Sequence, residues 1–468
     1  MASAESIAFD RDPLRPVLRL RHLNRTLLAL SAPAIIEYLL SSTVFFVDTL
    51  IVGWLRSETF LAAVALSGLS MIFINAPYAA LSISTSSIVS RSWGEGDRQT
   101  ACRCAALSLT LSFTTAAVIV ISGMLCSRWV VNLLGASPEV LPLASTYLGI
   151  LLLSCVFGLS VFISNGIHRS KGDTLTAMWI AILTNLINIV ASIMLAFGIG
   201  TVKLGFYGVA WGTVIARTAG TLMSVGLLFS PKSIGLRPRH FLNISKTLLR
   251  RLWYLTFPSL AERVSNAVVY LTFMWLVAAL GTTVLASHQL ALQMESFAYM
   301  PVWGLAVAAT TIVGQAVGAR LEHIAEFAVR RLLIAAGIST GILAILYALA
   351  GPHLVRIFGA TPQVLSLSGM ALRISALEIP FMAFTFIFIG ALRGAGDTRT
   401  PLYVCLISPL IFRLGGTWLL AFVFDLGLAG VWLATAADWF VRAVSLLGFF
   451  RRGVWKKLHQ IEKSRFSE

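Results

Sequence analysis

The chain has 468 residues, of which 57% are hydrophobic and only 12% charged, and its formal net charge is +16. A water-soluble protein would be about a quarter charged, so a soluble fold is excluded. The cations raise the question of nucleic-acid binding, and their placement along the chain excludes that too.

Twelve apolar segments, most near or above the ~20 residues of a spanning helix, begin close to residues 28, 60, 101, 140, 174, 206, 252, 284, 326, 363, 400 and 427. Cations crowd the tails and the even-numbered connections. The N-terminal tail holds Arg11, Arg15, Arg19, Arg21 and Arg25, and the sixth connection holds Lys232, Arg237, Arg239, Lys246, Arg250 and Arg251. The C-terminal tail holds Arg451, Arg452, Lys456, Lys457, Lys463 and Arg465, while the odd-numbered loops hold only Arg56, Arg128, Lys203 and Arg356. This bias follows the positive-inside rule and puts both termini in the cytoplasm, as for a multi-pass protein of a bacterial inner membrane. Residues 1–26 do not read as a cleavable signal, because the apolar run behind them is too long and contains Glu37 and Asp48. The five cysteines show no CxxC spacing and are odd in number, so packing thiols are expected rather than disulfides or a metal site.

The first segment carries Pro33, Glu37 and Asp48. Proline removes one helical hydrogen bond and can kink the helix. A central aspartate costs roughly 2.5–3.5 kcal/mol on insertion scales, so Asp48 should face the bundle interior or water. Glu37 lies three helical turns earlier on nearly the same face; it reads equally well as a cavity acid or as a structural one.

Between the fourth and fifth segments stands GIHRSKGDTLT (166–176), and between the tenth and eleventh stands GALRGAGDTRT (390–400). Gly166, Arg169, Gly172 and Asp173 thus recur as Gly390, Arg393, Gly396 and Asp397. The same offset of 224 relates LGASPEVL (134–141) to FGATPQVL (358–365), and an offset of 225 relates Pro33 and Glu37 to Pro258 and Glu262. Two homologous halves follow. The expected layout is an N-terminal tail 1–27, a six-helix lobe 28–231, a basic linker 232–251, a second six-helix lobe 252–450 and a basic tail 451–468. Six helices return the chain to its starting side, so the repeats are parallel. The motif reads as a structural staple: glycines for turns, Asp-Thr as a helix cap, and arginine bonding carbonyls at the preceding helix end. Asp48 breaks the repeat, since its counterpart is Thr272, which favours a role assigned to one lobe.

The eighth segment places His288, Glu295 and Tyr299 on one face, flanked by Gln293. With Glu262 and Glu378 they are candidates to line a cavity and attract a cation, Tyr299 by stacking on it; an interhelical hydrogen-bond network is the competing reading. No GxxxxGK[ST] or HExxH occurs, so neither an ATP-binding loop nor that zinc-hydrolase motif is present.

Pro33, Val47-Asp48-Thr49, Gly53 and the GALRGAGDT motif, in this order within paired six-helix halves, resemble the multidrug and toxic compound extrusion (MATE) transporters over about residues 28–450. The resemblance implies an all-α membrane protein with twelve transmembrane helices in two homologous lobes around a V-shaped cavity. It implies export of small cationic amphipathic compounds in exchange for H⁺ or Na⁺, with the lipid bilayer as surroundings and no nucleic acid or organic cofactor. Pro33 and Asp48 look most like the DNA-damage-inducible branch, whose coupling ion is handled by positions matching Asp48, Asn188, Ser192 and Thr213. Ser192 stands where that branch has a second aspartate, which points to H⁺ rather than Na⁺. The chain is expected to act as a monomer. A lipid-linked oligosaccharide flippase of related fold and a membrane-embedded enzyme are the alternative functions.

Overall fold

The computed structural model describes residues 23–200, 202–242 and 245–465; residues 1–22, with Arg11, Arg15, Arg19 and Arg21 of the expected tail, lie outside them. The described residues form helices and no strand. The long helices are α1 (Leu23–Trp54), α2 (Glu58–Glu95), α3 (Arg98–Leu133), α4 (Val140–Lys171), α5 (Thr174–Phe197) and α6 (Phe206–Leu228). They continue as α7 (Lys246–Ala279), α8 (Thr282–Gly318), α9 (Glu322–Leu354), α10 (Pro362–Ala395), α11 (Arg399–Ser408) and α12 (Gly427–Arg452), and α13 (Trp455–Arg465) ends the series. Ten of the described helices are long and apolar enough to cross a membrane, counting α11 together with the wide turns that extend it to Val423. Helices α6 and α7 fall short of that measure. Glycine, threonine and serine dilute α6 around Arg217, and α7 carries Lys246, Arg250, Arg251, Glu262 and Arg263.

The helices start at, or a few residues before, the expected positions. Polar caps explain part of this. Asp97 accepts from the Thr100 N–H at 2.9 Å, so α3 begins in a charged turn ahead of its apolar run. At the front of α1, Leu23 and Leu27 are buried, which moves the helix start into what the apolar pattern reads as tail. The end of the expected linker 232–251 likewise belongs to α7.

Contacts divide the chain into two units. One runs from Ala32 to Trp253; the other takes in Tyr254 onward and the described residues before Ala32. In the first, α4 is the central helix and packs on α2, α3 and α6, with α5 laid against α6. In the second, α10 takes that position against α8, α9 and α12, with α11 laid against α12. The sequence repeat is therefore a repeat of packing.

Paired atoms make the correspondence specific. Ser86 on α2 donates to the Gly166 carbonyl at 3.3 Å, and Thr310 on α8 donates to the Gly390 carbonyl at 2.9 Å. A β-carbon on Gly166 would lie 2.7 Å from Ser82 Oγ, and one on Gly390 would lie 2.3 Å from the Ala306 carbonyl oxygen. The first glycine of the motif is thus a point of close helix approach, not the turn expected from the sequence. The turns fall at Gly172 (φ 98°) and Gly396 (φ 97°), which end α4 and α10 in the left-handed conformation. Asp173 then accepts from the Thr176 N–H at 3.1 Å, and Asp397 from the Thr400 N–H at 2.9 Å, capping α5 and α11.

The repeats also differ. Helix α5 is regular to Phe197, whereas α11 widens into π-helical turns over Pro409–Gly415 and Trp418–Val423. Pro409 cannot donate a backbone hydrogen bond, which suits a change of helical pitch at that point. The segment expected as a basic tail, 451–468, contains α13. Its Trp455 is buried, stacks on Phe450 at 4.9 Å and donates its indole N–H to the Phe450 carbonyl at 2.9 Å.

Candidate functional site

In the unit Ala32–Trp253, three of the four residues proposed for ion coupling meet. Asp48 comes from α1, Asn188 from α5 and Thr213 from α6, and all are buried. Thr213 Oγ1 donates to Asp48 Oδ2 at 2.9 Å, and Asn188 Nδ2 donates to Thr213 Oγ1 at 3.2 Å. Asp48 Oδ1 and Asn188 Oδ1 are buried and accept no hydrogen bond, so the carboxyl keeps one uncommitted oxygen. Buried polar oxygens of this kind are uncommon and call for a functional account.

Ser192 stands apart from this chain of bonds. Its hydroxyl donates to the Val209 carbonyl at 3.4 Å, and it packs so tightly on Gly212 that a β-carbon there would lie 2.2 Å from Ser192 Oγ. Its place is the α5–α6 seam. Two neighbours of Asp48 were not anticipated. Arg217 and Tyr147 lie close enough to interact with it electrostatically, and Arg217 Nη1 also donates to Ser154 Oγ at 3.0 Å. A signal for Arg217 exists in the sequence: GFYGV (205–209) recurs as GLAGV (427–431) at an offset of 222, which sets Trp439 against Arg217, a broken symmetry like that of Asp48 against Thr272.

Glu37 belongs to a different constellation. Arg169 Nη1 donates to Glu37 Oε1 at 2.6 Å, Asn165 Nδ2 donates to the same oxygen at 3.1 Å, and Ser224 Oγ donates to Asn165 Oδ1 at 2.8 Å. In the other unit, Arg393 Nη2 donates to both oxygens of Glu262, each at 2.8 Å. The motif arginines therefore pair with the acid one turn beyond Pro33 or Pro258, where the sequence suggested that they cap the preceding helix. Pro33 itself is buried within α1.

The unit containing Tyr254 onward holds a second polar interior. Glu295 on α8 and Glu378 on α10 are buried side by side next to Tyr299. Tyr299 also meets Trp303, Phe386 and Trp439 at ring separations of 6.0–6.4 Å. His288 sits between Phe273 and Trp432, each 5.5 Å away, and neither ring nitrogen has a hydrogen-bond partner. Gln293 is exposed and lies off this face. Asp438 is clamped by Arg442 through bonds of 2.8 and 2.6 Å, by Arg413 at 3.0 Å and by the Ser408 hydroxyl at 2.7 Å. Among the described residues, no group of three or more His, Cys, Asp or Glu side chains is placed to hold a metal ion.

A multi-pass helical membrane protein made of two repeats, each with acids buried in its interior, has the build of a secondary transporter. The MatE family model matches residues 33–194 and again 258–419, one match per repeat, and the chain belongs to that family, the multidrug and toxic compound extrusion transporters. The probable multidrug resistance protein NorM of Thermotoga maritima is 27% identical over 453 residues, covering 95% of this chain and 96% of that protein. The DNA damage-inducible protein F of Escherichia coli is 25% identical over 453 residues, covering 92% and 94%. In fold, the chain resembles the crystal structure of MATE in the straight conformation, with a TM-score of 0.85 at 24% identity over 92% of this chain and 96% of that one.

Proposed function

We propose that this transporter is an antiporter of the inner membrane that exports small cationic amphipathic compounds, acts as a monomer with both termini cytoplasmic, and takes in H⁺ through Asp48. The observation that carries the reading is the bond from Thr213 to Asp48 Oδ2, which orients the carboxyl while leaving Oδ1 uncommitted. A proton needs one such oxygen. A sodium ion needs several oxygen ligands, best supplied by more than one carboxylate, and Asp48 is the single acid of this group, with Ser192 where the resembling branch has a second aspartate. Asn188 steadies Thr213, and Arg217 sets the local field. The NorM relatives carry the name of probable multidrug resistance proteins, which supports a drug substrate.

In the second unit, Glu295, Glu378 and the Tyr299 aromatic cluster supply the charge and the ring faces that an organic cation would use. A flippase for pyrophosphate-linked sugars would need cations free to meet its substrate. Four interior arginines are bound to acids, Arg169 to Glu37, Arg393 to Glu262, and Arg413 and Arg442 to Asp438, while Arg91 donates to the Ser87 carbonyl and Arg217 to Ser154. That favours the exporter. Transport of a fluorescent organic cation by purified protein in liposomes, under an H⁺ gradient and separately under a Na⁺ gradient, tests the reading. Uptake driven by H⁺ alone is expected, and strict dependence on Na⁺ would overturn the choice of ion.

A further inference from the structure

Helix α13 has two faces of different character. Trp455 and Glu462 are buried against the body of its unit. Lys456 reaches Glu326 on α9 at 2.5 Å, and Leu458 and Ile461 border a small cleft with Tyr254 and residues 396–399, just past the end of α10. Away from Trp455 the helix exposes Lys457 and, at the edge of that cleft, Ile461, 54% exposed, while Val454, 60% exposed, stands in the turn just ahead of the helix. Lys457 and Ile461, four residues apart, share one stripe of the helix, and Val454 precedes it. Arg451 and Arg452, both exposed, stand at its head.

Apolar side chains set among cations, with the acid of the helix turned inward, make up the surface of a helix lying in a membrane interface. The position agrees. Helix α12 is a spanning helix that stops at Gly453, where φ is 69°, so α13 begins two residues beyond the end of a membrane crossing. We infer that Val454 and the stripe Lys457–Ile461 rest on anionic phospholipid headgroups, with Val454 and Ile461 sunk toward the acyl chains and Arg451, Arg452 and Lys457 holding the phosphates. Charge complementarity selects the occupant: the exposed stripe and its head carry three cations and no acid, and each cation near an anionic surface adds attraction that falls away with salt. The inference uses the transporter reading only in that α12 crosses the bilayer; it does not depend on the substrate, the ion or the side on which the terminus lies.

The test uses the whole protein in nanodiscs of phosphatidylcholine alone and of phosphatidylcholine mixed with phosphatidylglycerol. Amide hydrogen exchange is followed over 454–465, with the other helices as the control for folding. Exchange should slow several-fold in the anionic discs, and added salt should reverse the effect. The variant Arg451→Gln/Arg452→Gln/Lys457→Gln should show no difference between the lipids, and Val454→Ser/Ile461→Ser should exchange faster in both. Equal exchange of the unaltered protein in the two lipids, or phosphatidylglycerol protection that survives loss of the three cations, would overturn the inference. Because both leaflets of a disc have the same lipid, an error in topology or in transport function leaves this readout untouched.

Discussion

Arg169 Nη1 lies 2.6 Å from Glu37 Oε1 inside the first unit, and the repeat writes the same pair again as Arg393 and Glu262 at 2.8 Å. Each ties the stretch just beyond a helix-interior proline to the end of the central helix of its unit. Buried pairs of this kind are costly to break singly, because one partner is left charged and alone, on the order of 3–5 kcal/mol. Arg169→Ala and Arg393→Ala should therefore lower the folded yield and the melting temperature in detergent. Glu37→Leu/Arg169→Leu should recover much of the loss, since no charge is stranded. A shift in substrate spectrum at normal yield would show that these arginines meet substrate instead.

The close helix approach at Gly390 gives a graded prediction. A β-carbon there meets a backbone oxygen at 2.3 Å, whereas at Gly166 it meets the Ser82 hydroxyl at 2.7 Å, which a rotation can move. Gly390→Ala should cost about 1–3 kcal/mol, as overpacking does, and Gly166→Ala should cost less. Melting temperatures of the two variants, measured side by side, check the order; a larger loss for Gly166→Ala would contradict it.

Topology is open to direct measurement. Epitope tags at both termini and between residues 232 and 245 should be reached only after the membrane is opened from the cytoplasmic side. A tag in that stretch detected on intact cells would break the parallel arrangement of the repeats.

The helix count, the repeat and the family resemblance were legible because apolar runs and recurring motifs are local properties of the sequence. The helix ends were less so: Leu23 and Leu27 are buried, but they sit in a basic stretch that reads as tail. The group expected to couple the ion was legible through the resemblance, and Asp48, Asn188 and Thr213 do meet, while Ser192 turned to a backbone carbonyl that no pattern of residue types announces. The Glu37–Arg169 pair joins residues 132 apart, and matching it needed both the Pro-Glu repeat and the motif repeat to be read together. Arg217 carries one sign in the sequence, the absence of an arginine at its repeat counterpart, but which acid it faces depends on packing between helices. The wide turns of α11 left a single hint, Pro409, and α13 was hidden by its charge, since a basic terminal stretch with one tryptophan looks like any solvated tail.

Asp48→Asn in liposomes bears most directly on the central claim that one carboxyl in the first unit couples export to ion entry. The amide keeps the size of the side chain and can still accept from Thr213, so the variant should fold and should bind organic cations within a few-fold of the unaltered protein. Gradient-driven export should be lost, because the amide cannot take up and release a proton, while Asn188→Ala and Thr213→Ala should retain part of it. Export by Asp48→Asn at the rate of the unaltered protein, under the same H⁺ gradient, would contradict the account and remove Asp48 from the coupling step.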